Sequence, residues 1–418
     1  PKLANNNFYV VGDQDQRILD LFVVSEKGFV DQYNGNVAMA TNRVVEVVNG
    51  VRAVWEQDFN LTINYLGVFF SPTAKVGNLD NAAAIFNDEV MDANVMGATK
   101  ADVDLSHFFA GNGGGGAAIL WSACGTNKAG GYSGTSSVAD ASYTPLVAHE
   151  MAHHLGADHT WTGQDADCSA SQYGHASGVE PGSGVTLASY AGICGNDNVP
   201  VTGKGNYHHT ESIREIVEFV INGKRKDIMA SGAPAINQIP PFNIDTPSGC
   251  FATNNTGNQP PVANSNTGFG NLNLPGRTPF ELTGSATDPN GDPLTYQWDN
   301  LDFATAQAPI DAYATRQDGP LFRSFAPKAS PVRVVPQLSD ILSGTQTKGE
   351  KLPEVNRQMR FVLTVRDGKG GVGVDKVEFN VVDSGQGFAV TENINTTNPR
   401  SEERRVGKEC RSRWSPYH

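Results

Sequence analysis

The sequence predicts a mixed α/β domain in its first half and an all-β domain after it. In the first half, the apolar run at 18–24 has the density of a buried strand, and residues 61–70 have the pattern of a second strand. Between them, apolar residues recur on one helical face over 36–58. A strand, a long helix and a strand form a crossover unit, so we expect a twisted mixed sheet backed by helices, with a shorter helix at 81–91.

The second half of the chain has a different pattern, in which short alternating strands are separated by glycine-containing turns. We expect strands at 280–285, 294–298, 332–335, 360–366 and 377–382. These strands predict a β-sandwich that covers residues 263–385.

The domain boundaries follow from composition. The stretch 223–262 is rich in Pro, Asn, Gly and Thr, which is typical of a domain exit and a linker. We therefore assign 1–254 to the first domain, with 1–14 as a poorly defined lead-in, and 255–262 to the linker. A further module begins at 386–399. The basic tail at 400–418 resembles the translation of a sequencing adapter and is left out of the fold prediction.

The composition describes a globular, acidic protein. Its 418 residues are 39% hydrophobic, enough for packed cores in two or three domains, and its formal net charge is −13. This charge argues against a nucleic-acid partner. No apolar run approaches the ~18 residues of a membrane span, and we expect a secreted or cell-surface protein whose signal peptide is not in this sequence.

The chemistry of the chain is indicated by HEMAHHLGADHTW at 149–161, which contains the pattern HExxHxxGxxH. His149 and His153 are four residues apart, so on a helix they lie on one face and can bind one metal ion. Gly156 can take the left-handed conformation that ends a helix, so that His159 returns to the same ion. His154 lies outside the pattern and is expected to be structural.

Three neutral imidazoles favour zinc and leave its fourth position to a water molecule, whose pKa falls to about 7 on binding. Glu150 follows His149 directly, so its carboxylate lies beside that water. We expect Glu150 to take the water proton as general base and to pass it to the leaving amine.

This longer pattern resembles the metzincin clan of zinc endopeptidases, and within it the secreted bacterial reprolysin-like (adamalysin-related) peptidases. The resemblance covers about 15–385 and includes FFAGNGGGGAAI before the site and YAGICG after it. It implies a zinc metalloendopeptidase whose substrate is a protein or peptide. Thr160 departs from the aspartate that usually follows the third histidine in adamalysins, which leaves the subfamily open.

The resemblance also implies a substrate-binding edge. The segment 103–109, then GNGGGG and AAILW, has the pattern of two strands around a glycine corner, and the family likeness makes the first strand the edge that borders the cleft. An extended peptide would bind there as an added strand. A phosphate-binding loop is excluded because the Gly-Lys-Ser/Thr of a P-loop is missing. His107 on this strand is expected to be a core or surface histidine.

The active-site helix is predicted to begin with Thr144 as cap and Pro145 in its first turn, and to run to about Leu155. Downstream, EPGSGVTLASYAGIC at 180–194 resembles the methionine turn that lies beneath the zinc of metzincins. The methionine position then holds Ala188, and Tyr190 matches a tyrosine that approaches the metal in some metzincins. Met229, after the helix predicted at 211–222, remains an alternative, as does a misaligned turn.

The first 399 residues contain four cysteines, and an even number in such a chain indicates disulfides and an oxidising compartment. Of the three possible pairings we favour Cys168 with Cys194, closing a loop below the zinc, and Cys124 with Cys250.

The segments TDPNGDPLTYQW and TVRDGKGGVG resemble the immunoglobulin-like, cadherin-like or PKD-like modules of secreted bacterial proteins. Asp288, Asn290 and Asp292 offer oxygen ligands at alternate positions, so they could bind structural calcium, but a plain Asn-Gly turn is the favoured explanation. A surface or matrix ligand for this module is a further expectation.

Three functions remain open from the sequence. The first is a secreted zinc endopeptidase. The second is a catalytically silent metzincin that serves as an adhesion or binding protein, which the missing methionine and the sandwich favour and the intact Glu150 disfavours. The third is a zinc hydrolase acting on a non-peptide amide. A serine hydrolase is unsupported because the chain contains no GxSxG.

Overall fold

The computed structural model describes residues 15–91, 100–112, 115–135, 137, 140–174, 176–199, 204–222, 250–265 and 273–385. The lead-in at 1–14, Met229, the start of a further module at 386–399 and the tail at 400–418 lie outside the described residues. No described helix has the length and apolar character that crossing a bilayer requires.

The first domain is built on one mixed sheet. Its strands are β1 (Asp15–Ser25), β2 (Leu61–Phe70), β3 (Leu105–Ala110), β4 (Gly115–Ala118), β5 (Gly131–Gly134) and β6 (Ala252–Asn255). They follow the order β2-β1-β3-β5-β4, and β6 pairs with the start of β1. The strands β1, β2, β3 and β5 are parallel to one another, whereas β6 is antiparallel to β1 and β4 is antiparallel to β5.

Among the described residues of this domain, five helices pack against the sheet or flank it. They are α1 (Lys27–Asp31), α2 (Val37–Phe59), α3 (Leu79–Ala84), α4 (Tyr143–His154) and α5 (Thr210–Asn222). A π-helical turn at Ile85–Met91 continues α3, and 3-10 turns lie at Lys100–Asp102, Ala170–Gln172 and Gly195–Asp197. The helix α2 joins the parallel strands β1 and β2, as the predicted crossover unit requires.

The length of α2 follows from its sequence. Asn36 caps its first turn by accepting a hydrogen bond from the Met39 amide, and Asn60 ends it in the left-handed conformation. Its apolar face, which includes Val44, Val51 and Trp55, is buried in the main hydrophobic core together with α4. Burial of this face against the sheet and α4 holds the active-site helix over the sheet.

The prediction of which strand forms the edge of the cleft is wrong. The strand β3, which carries His107, lies inside the sheet between β1 and β5, and β4 lies at the edge. The reason is that β5 separates the two strands, so the glycine-rich segment between β3 and β4 does not make a hairpin. The edge beside the active-site helix is therefore β4.

The cap predicted for α4 is also wrong. The helix begins at Tyr143, so Ser142 occupies the capping position and Thr144 lies within the helix. The Ser142 hydroxyl donates to Asp140, and its oxygen accepts no hydrogen bond from the amides of the first turn. Pro145 lies in the first turn, where its missing N–H has no partner to lose.

Part of the predicted exit and linker region, 223–262, is strand. The residues of β6 pair with β1, so the sheet of the first domain extends to Asn255. The next strand begins at Val262, which leaves 256–261 as the short connection between the domains.

The second domain is β-rich. Its strands are β7 (Val262–Asn264), β8 (Asn273–Pro275), β9 (Phe280–Thr283), β10 (Ser285–Thr287), β11 (Thr295–Asn300), β12 (Val332–Val335), β13 (Arg357–Arg366) and β14 (Val372–Val382). They form a four-stranded sheet in the order β11-β13-β14-β8 and the pairs β12-β9 and β10-β7. A helix α6 (Leu338–Ser343) and a 3-10 turn at Ile310–Thr315 interrupt the strands, so the domain is not purely β.

The two domains share buried contacts. Val372 of β14 belongs to the hydrophobic core of the first domain. Val179 of the first domain packs with Leu301 and Val362 of the second. An ion pair also joins the two domains: the Arg366 guanidinium of the second domain binds the buried carboxylate of Asp58 at the end of α2. The second domain is thus packed onto the first through both apolar and charged groups.

Candidate metal centre

Three histidines meet beside α4. His149 and His153 lie one turn apart on the helix, with their Nε2 atoms 3.1 Å apart. His159 follows the helix, and one ring nitrogen from each of the three lies within 4.8 Å of the others. Two nitrogens bound at about 2.05 Å to one tetrahedral zinc ion would be about 3.3 Å apart. The two helical histidines therefore have the spacing of ligands that share an ion.

Backbone carbonyls fix how these rings face. The Nδ1 atom of His149 lies 2.6 Å from the carbonyl oxygen of Leu187, and that of His153 lies 2.6 Å from the carbonyl oxygen of Ala157. The Nδ1 atom of His159 lies 2.5 Å from the carbonyl oxygen of Gln172. Because a carbonyl only accepts, each Nδ1 carries the proton and each Nε2 presents a lone pair.

This donor set fits a zinc ion. Burial lowers the pKa of all three histidines, which keeps their rings neutral. Two neutral Nε2 lone pairs at 3.1 Å repel each other unless a cation lies between them. Three buried neutral imidazoles with converging lone pairs are the ligand set that tetrahedral zinc prefers.

The chain returns to the metal through Gly156. This residue has φ +98, and its N–H donates to the His153 carbonyl, which ends the helix. A Cβ at this position would lie 2.5 Å from the indole of Trp121, so both the conformation and the packing require glycine. The sharp turn directs the next three residues toward the face that carries His149 and His153.

Glu150 lies on α4 between the histidines and the edge strand. Its side chain is buried, and a Cβ added to Gly116 of β4 would lie 2.6 Å from its Cγ atom. Burial raises the pKa of the Glu150 carboxyl, and the nearby Lys204 ammonium acts in the opposite direction. A raised pKa suits a group that takes and returns a proton, and a cation held by the histidines would act with Lys204 to lower it.

Lys204 is a charged residue that the sequence did not single out. Its Nζ lies 3.5 Å from the Leu187 carbonyl oxygen that orients His149, and 5.9 Å from the centre of the Tyr190 ring. Burial lowers the pKa of Lys204, whereas the negative charges of Glu150 and Glu180 act against that shift. A single lysine between glycines carries no spacing signal, so only the fold could bring it to this site.

The floor of the site comes from the segment predicted to resemble the methionine turn. Ala188 is buried, and its carbonyl accepts a hydrogen bond from the Thr160 amide. The Tyr190 ring lies 4.6 Å from the His159 ring and 5.9 Å from the His149 ring. Tyr190 thus packs against two of the three histidines, and Ala188 bonds to the residue that follows His159, while a methionine turn at this segment stays a prediction.

Glu180 joins this segment to the stretch 156–173, which carries His159 and which we call the histidine loop. Its carboxylate accepts from the Thr160 and Thr186 hydroxyls, both at 2.5 Å, and from the Val185 and Thr186 amides. A buried carboxylate with four such bonds ties two distant stretches of loop together. Sequence reasoning missed this role because its partners lie about 20 residues upstream and 5 or 6 downstream, in no regular period.

Both favoured cysteine pairs are bonded in the structure. Cys168 and Cys194 have Cα atoms 5.1 Å apart, and Cys124 and Cys250 have Cα atoms 6.2 Å apart. The first bond closes the loop that follows His159. The second brings Asp104 near two sulfur atoms, but these sulfurs are used by the bond and are not metal ligands.

The remaining two histidines of the active-site region are buried behind the helix. The Nε2 atom of His154 lies 3.3 Å from the Nδ1 atom of His107. The Nδ1 atom of His154 bonds to the Ser122 hydroxyl. The other nitrogen of His107 bonds to Ser133. Both rings therefore link α4 to the sheet, and neither belongs to the group of three that could hold a metal.

The predicted calcium residues form a turn. The Oδ1 atom of Asp288 accepts hydrogen bonds from the amides of Asn290 and Asp292, each at 2.9 Å. The Asn290 side chain accepts from the Gln259 amide. These contacts are those of an Asn-Gly turn, and calcium binding stays a prediction.

A mixed sheet, a helix with two ligands and a glycine turn that adds the third define a zinc-peptidase domain. Residues 15–199 match the family model of metallo-peptidase family M12, reprolysin type. This segment is thus similar to the metallopeptidases of family M12, and M12 peptidases use zinc.

The other comparisons add little. The search of curated proteins found no match. One solved structure, titled "Structure of a chaperone-substrate complex", is similar at 17% identity with a TM-score of 0.30, over 49% of this chain and 34% of that one. This chain thus spans about a third of that structure's length, and the likeness supports no statement about fold or function.

Proposed function

We propose that the chain is a secreted zinc endopeptidase in which His149, His153 and His159 hold the metal and Glu150 is the general base. The observation that carries this proposal is the set of three Nδ1–H···O=C bonds, which leave each Nε2 with a free lone pair in a group whose ring nitrogens lie within 4.8 Å of one another. Zinc bound there supplies a Lewis acid that makes water acidic and polarises a peptide carbonyl.

The protein's own groups carry the proton. The Glu150 carboxylate takes a proton from the attacking water and passes it to the amine nitrogen as the peptide bond breaks. Its buried position beside Gly116 keeps it next to the edge strand and limits competing hydrogen bonds with solvent. Tyr190, whose ring contacts two of the ligands, stabilises the stacking of these rings.

The substrate is proposed to be a protein or peptide in extended conformation. The strand β4 lies at the edge of the sheet, so its outer N–H and C=O groups face away from β5 and can pair with a peptide. Because Gly116 of this strand touches Glu150, a peptide paired with β4 runs past the general base. Secretion is supported by the two disulfides, which persist in oxidising compartments.

The test is chelator-sensitive cleavage of casein or gelatin by the purified full chain. We expect cleavage to stop with a chelator and to return with zinc. Glu150→Gln should keep stoichiometric zinc but lose about 10²- to 10⁴-fold in kcat. Activity that survives this substitution would refute the mechanism, whereas zinc binding without any cleavage would favour a silent binding protein. A peptide library read by mass spectrometry then gives the cleavage preference.

A further inference from the structure

The third metal ligand is held differently from the first two. His149 and His153 are fixed by the hydrogen bonds of α4. His159 instead lies on a stretch with no helix or extended strand, where only single bridges such as Trp161 with Glu180 occur. A loop of this kind does not hold a ring to the tolerance of a metal site unless other parts of the molecule support it.

Much of that support comes from the second domain. The segment 304–313, which we call the bridging segment, follows β11 and contacts the histidine loop along its length. Gln307 donates from Nε2 to the carbonyl oxygens of Gly163, at 2.5 Å, and Cys168, at 2.9 Å. The Ala308 amide donates to the Thr162 carbonyl oxygen at 3.2 Å.

Two tyrosines extend these contacts. The Tyr313 hydroxyl lies 3.3 Å from the carbonyl oxygen of Thr162, and the Ile310 amide donates to Asp197 at 2.9 Å. From the opposite side, the Tyr173 hydroxyl donates to the Ala304 carbonyl oxygen at 3.0 Å. The histidine loop is thus bonded to the bridging segment in both directions.

Tyr173 brings this support to the metal ligand itself. The carbonyl that accepts the Nδ1–H of His159 belongs to Gln172, in the peptide unit that joins Gln172 to Tyr173. The Tyr173 ring also packs against Trp161, and Trp161 packs against His159, with ring centres 5.8 and 5.9 Å apart. Displacing Tyr173 therefore moves both the hydrogen-bond acceptor and the packing surface of His159.

The contact between the bridging segment and the first domain is also closely packed. Tyr313 and Ala304 are fully buried, and a Cβ at Gly182 would lie 2.6 Å from the side chain of Ile310. Buried hydrogen bonds of this kind cost the full desolvation of their groups when one partner is removed. Water cannot readily replace the groups of Tyr313 and Ala304.

We propose that the bridging segment is a positioning element of the metal centre, through which the second domain holds His159 in place for zinc. The proposal rests on the proposed function in that it takes the three histidines as zinc ligands. It assigns Gln307 and Tyr173 as positioning residues, neither of which touches the metal. It also gives the second domain a role in the metal site in addition to any ligand of its own.

The experiment measures zinc affinity of the full chain by competition with a chromogenic chelator, for wild type, Gln307→Ala and Tyr173→Phe. Loss of a group that orients a metal ligand typically weakens metal binding 10- to 100-fold, and we expect about 10-fold for each variant. The absorption spectrum of the cobalt-substituted protein should change in both, because the third nitrogen is displaced. Circular dichroism establishes that each variant is folded.

Gln358→Ala is the matched control. Gln358 is a glutamine of the same domain, on β13, but it is exposed and its side chain bonds only to Arg360 in the contacts described for it. Its zinc affinity and cobalt spectrum should equal those of wild type. If Gln307→Ala fails to fold, the zinc affinity of Tyr173→Phe tests the proposal alone, because this substitution removes a single oxygen atom.

Wild-type zinc affinity and spectrum in both folded variants would overturn the proposal, as would an equal loss in Gln358→Ala. These outcomes are distinct from failure of the proposed function, in which the wild-type chain itself would bind no zinc or cleave nothing. A variant that weakens zinc binding while wild type binds but does not cleave would still support the positioning role.

Discussion

The Nε atom of Arg366 lies 2.6 Å from a carboxylate oxygen of Asp58, which joins the second domain to the end of the long helix of the first. The same carboxylate accepts hydrogen bonds from the amide and the ring of His208, just before α5. All three side chains are buried. One carboxylate therefore connects three parts of the molecule that are distant in sequence.

Replacement of this carboxylate should destabilise the fold. Asp58→Asn leaves the Arg366 charge buried without its counter-charge, and breaking a buried pair in this way costs about 3–5 kcal/mol. Urea unfolding at pH 7 measures the loss. Asp31→Asn is the control, because its ion pair with Lys27 is exposed and worth about 0–1 kcal/mol. Equal effects of the two substitutions would contradict the structural role of the pair.

The same pair predicts a pH dependence. Burial alone would raise the pKa of Asp58, but Arg366 and His208 lower it below its usual value. The stability it contributes is therefore complete above the unfolded-state pKa of about 3.9 and is lost as the pH falls through the lower native value. We expect the difference in the free energy of unfolding between wild type and Asp58→Asn, measured from pH 7 to pH 3, to become smaller only below about pH 4. A gap that closes near neutral pH would count against this assignment.

Neighbouring histidines of α4 should behave differently toward zinc. His153→Gln removes a ligand and should abolish stoichiometric zinc, as measured by metal analysis after gel filtration. His154→Gln leaves the three ligands in place and should keep one zinc per chain. Its free energy of unfolding should fall by about 1–3 kcal/mol, because the buried Ser122 and His107 side chains lose a hydrogen-bond partner. Loss of zinc in both folded variants would show that the ligand set is wrong.

The contact between Gly116 and Glu150 predicts a steric effect on activity. Gly116→Ala places a methyl group 2.6 Å from the Glu150 Cγ atom, so the carboxylate must move. We expect kcat to fall by about 10-fold or more, because misplacement of a catalytic group by about 1 Å can cost about 10²-fold. Bound zinc should be unchanged.

Gly35→Ala is the control for this substitution. Gly35 has φ +75 and no atom near its Cβ position, so the change strains the backbone by about 1–2 kcal/mol but does not touch the site. It should lower the melting temperature and leave kcat as in wild type. Full activity in Gly116→Ala would argue that Glu150 is not the proton carrier.

The floor of the site gives a test of the alanine at the methionine position. Ala188→Met should keep or raise the melting temperature, because the added side chain would bury apolar atoms at the position that a methionine holds in metzincins, a gain of about 1–3 kcal/mol. Ala148→Met, at a buried position of α4 in the main core, should instead lower it through overpacking. A clear drop in melting temperature for Ala188→Met would contradict the placement of the turn.

Removal of the disulfide below the site should loosen the histidine loop. Cys168→Ala with Cys194→Ala opens a loop of 26 residues, and the stabilisation from closing such a loop is about 3 kcal/mol. The loss is measured by thermal unfolding without reductant. Peptide mapping without reductant checks the two bonds, and a different pairing or free thiols would refute them.

Local patterns in the sequence were sufficient for most of the elements. The apolar period of α2, the strands around it and the five strands of the second domain appear within one to three residues of their predicted bounds at most ends. The grouping of the three histidines was predicted for the same reason, since residues on one helix and one turn keep a fixed spacing. The role of Glu150 as general base stays a prediction. Residues on one face of a helix recur at a regular spacing, which can be recognised in the sequence.

What the sequence left undecided depends on contacts between distant segments. The position of β5 between β3 and β4 decides which strand is the edge, and strand order has no local signal. Lys204, Glu180 and the bridging segment reach the metal centre from loops whose spacing carries no period. The sequence by itself determined which residues can bind the metal, because that chemistry lies within eleven residues of chain. Only the tertiary structure decided what holds the third ligand, because that support comes from a separate domain more than 130 residues away in sequence.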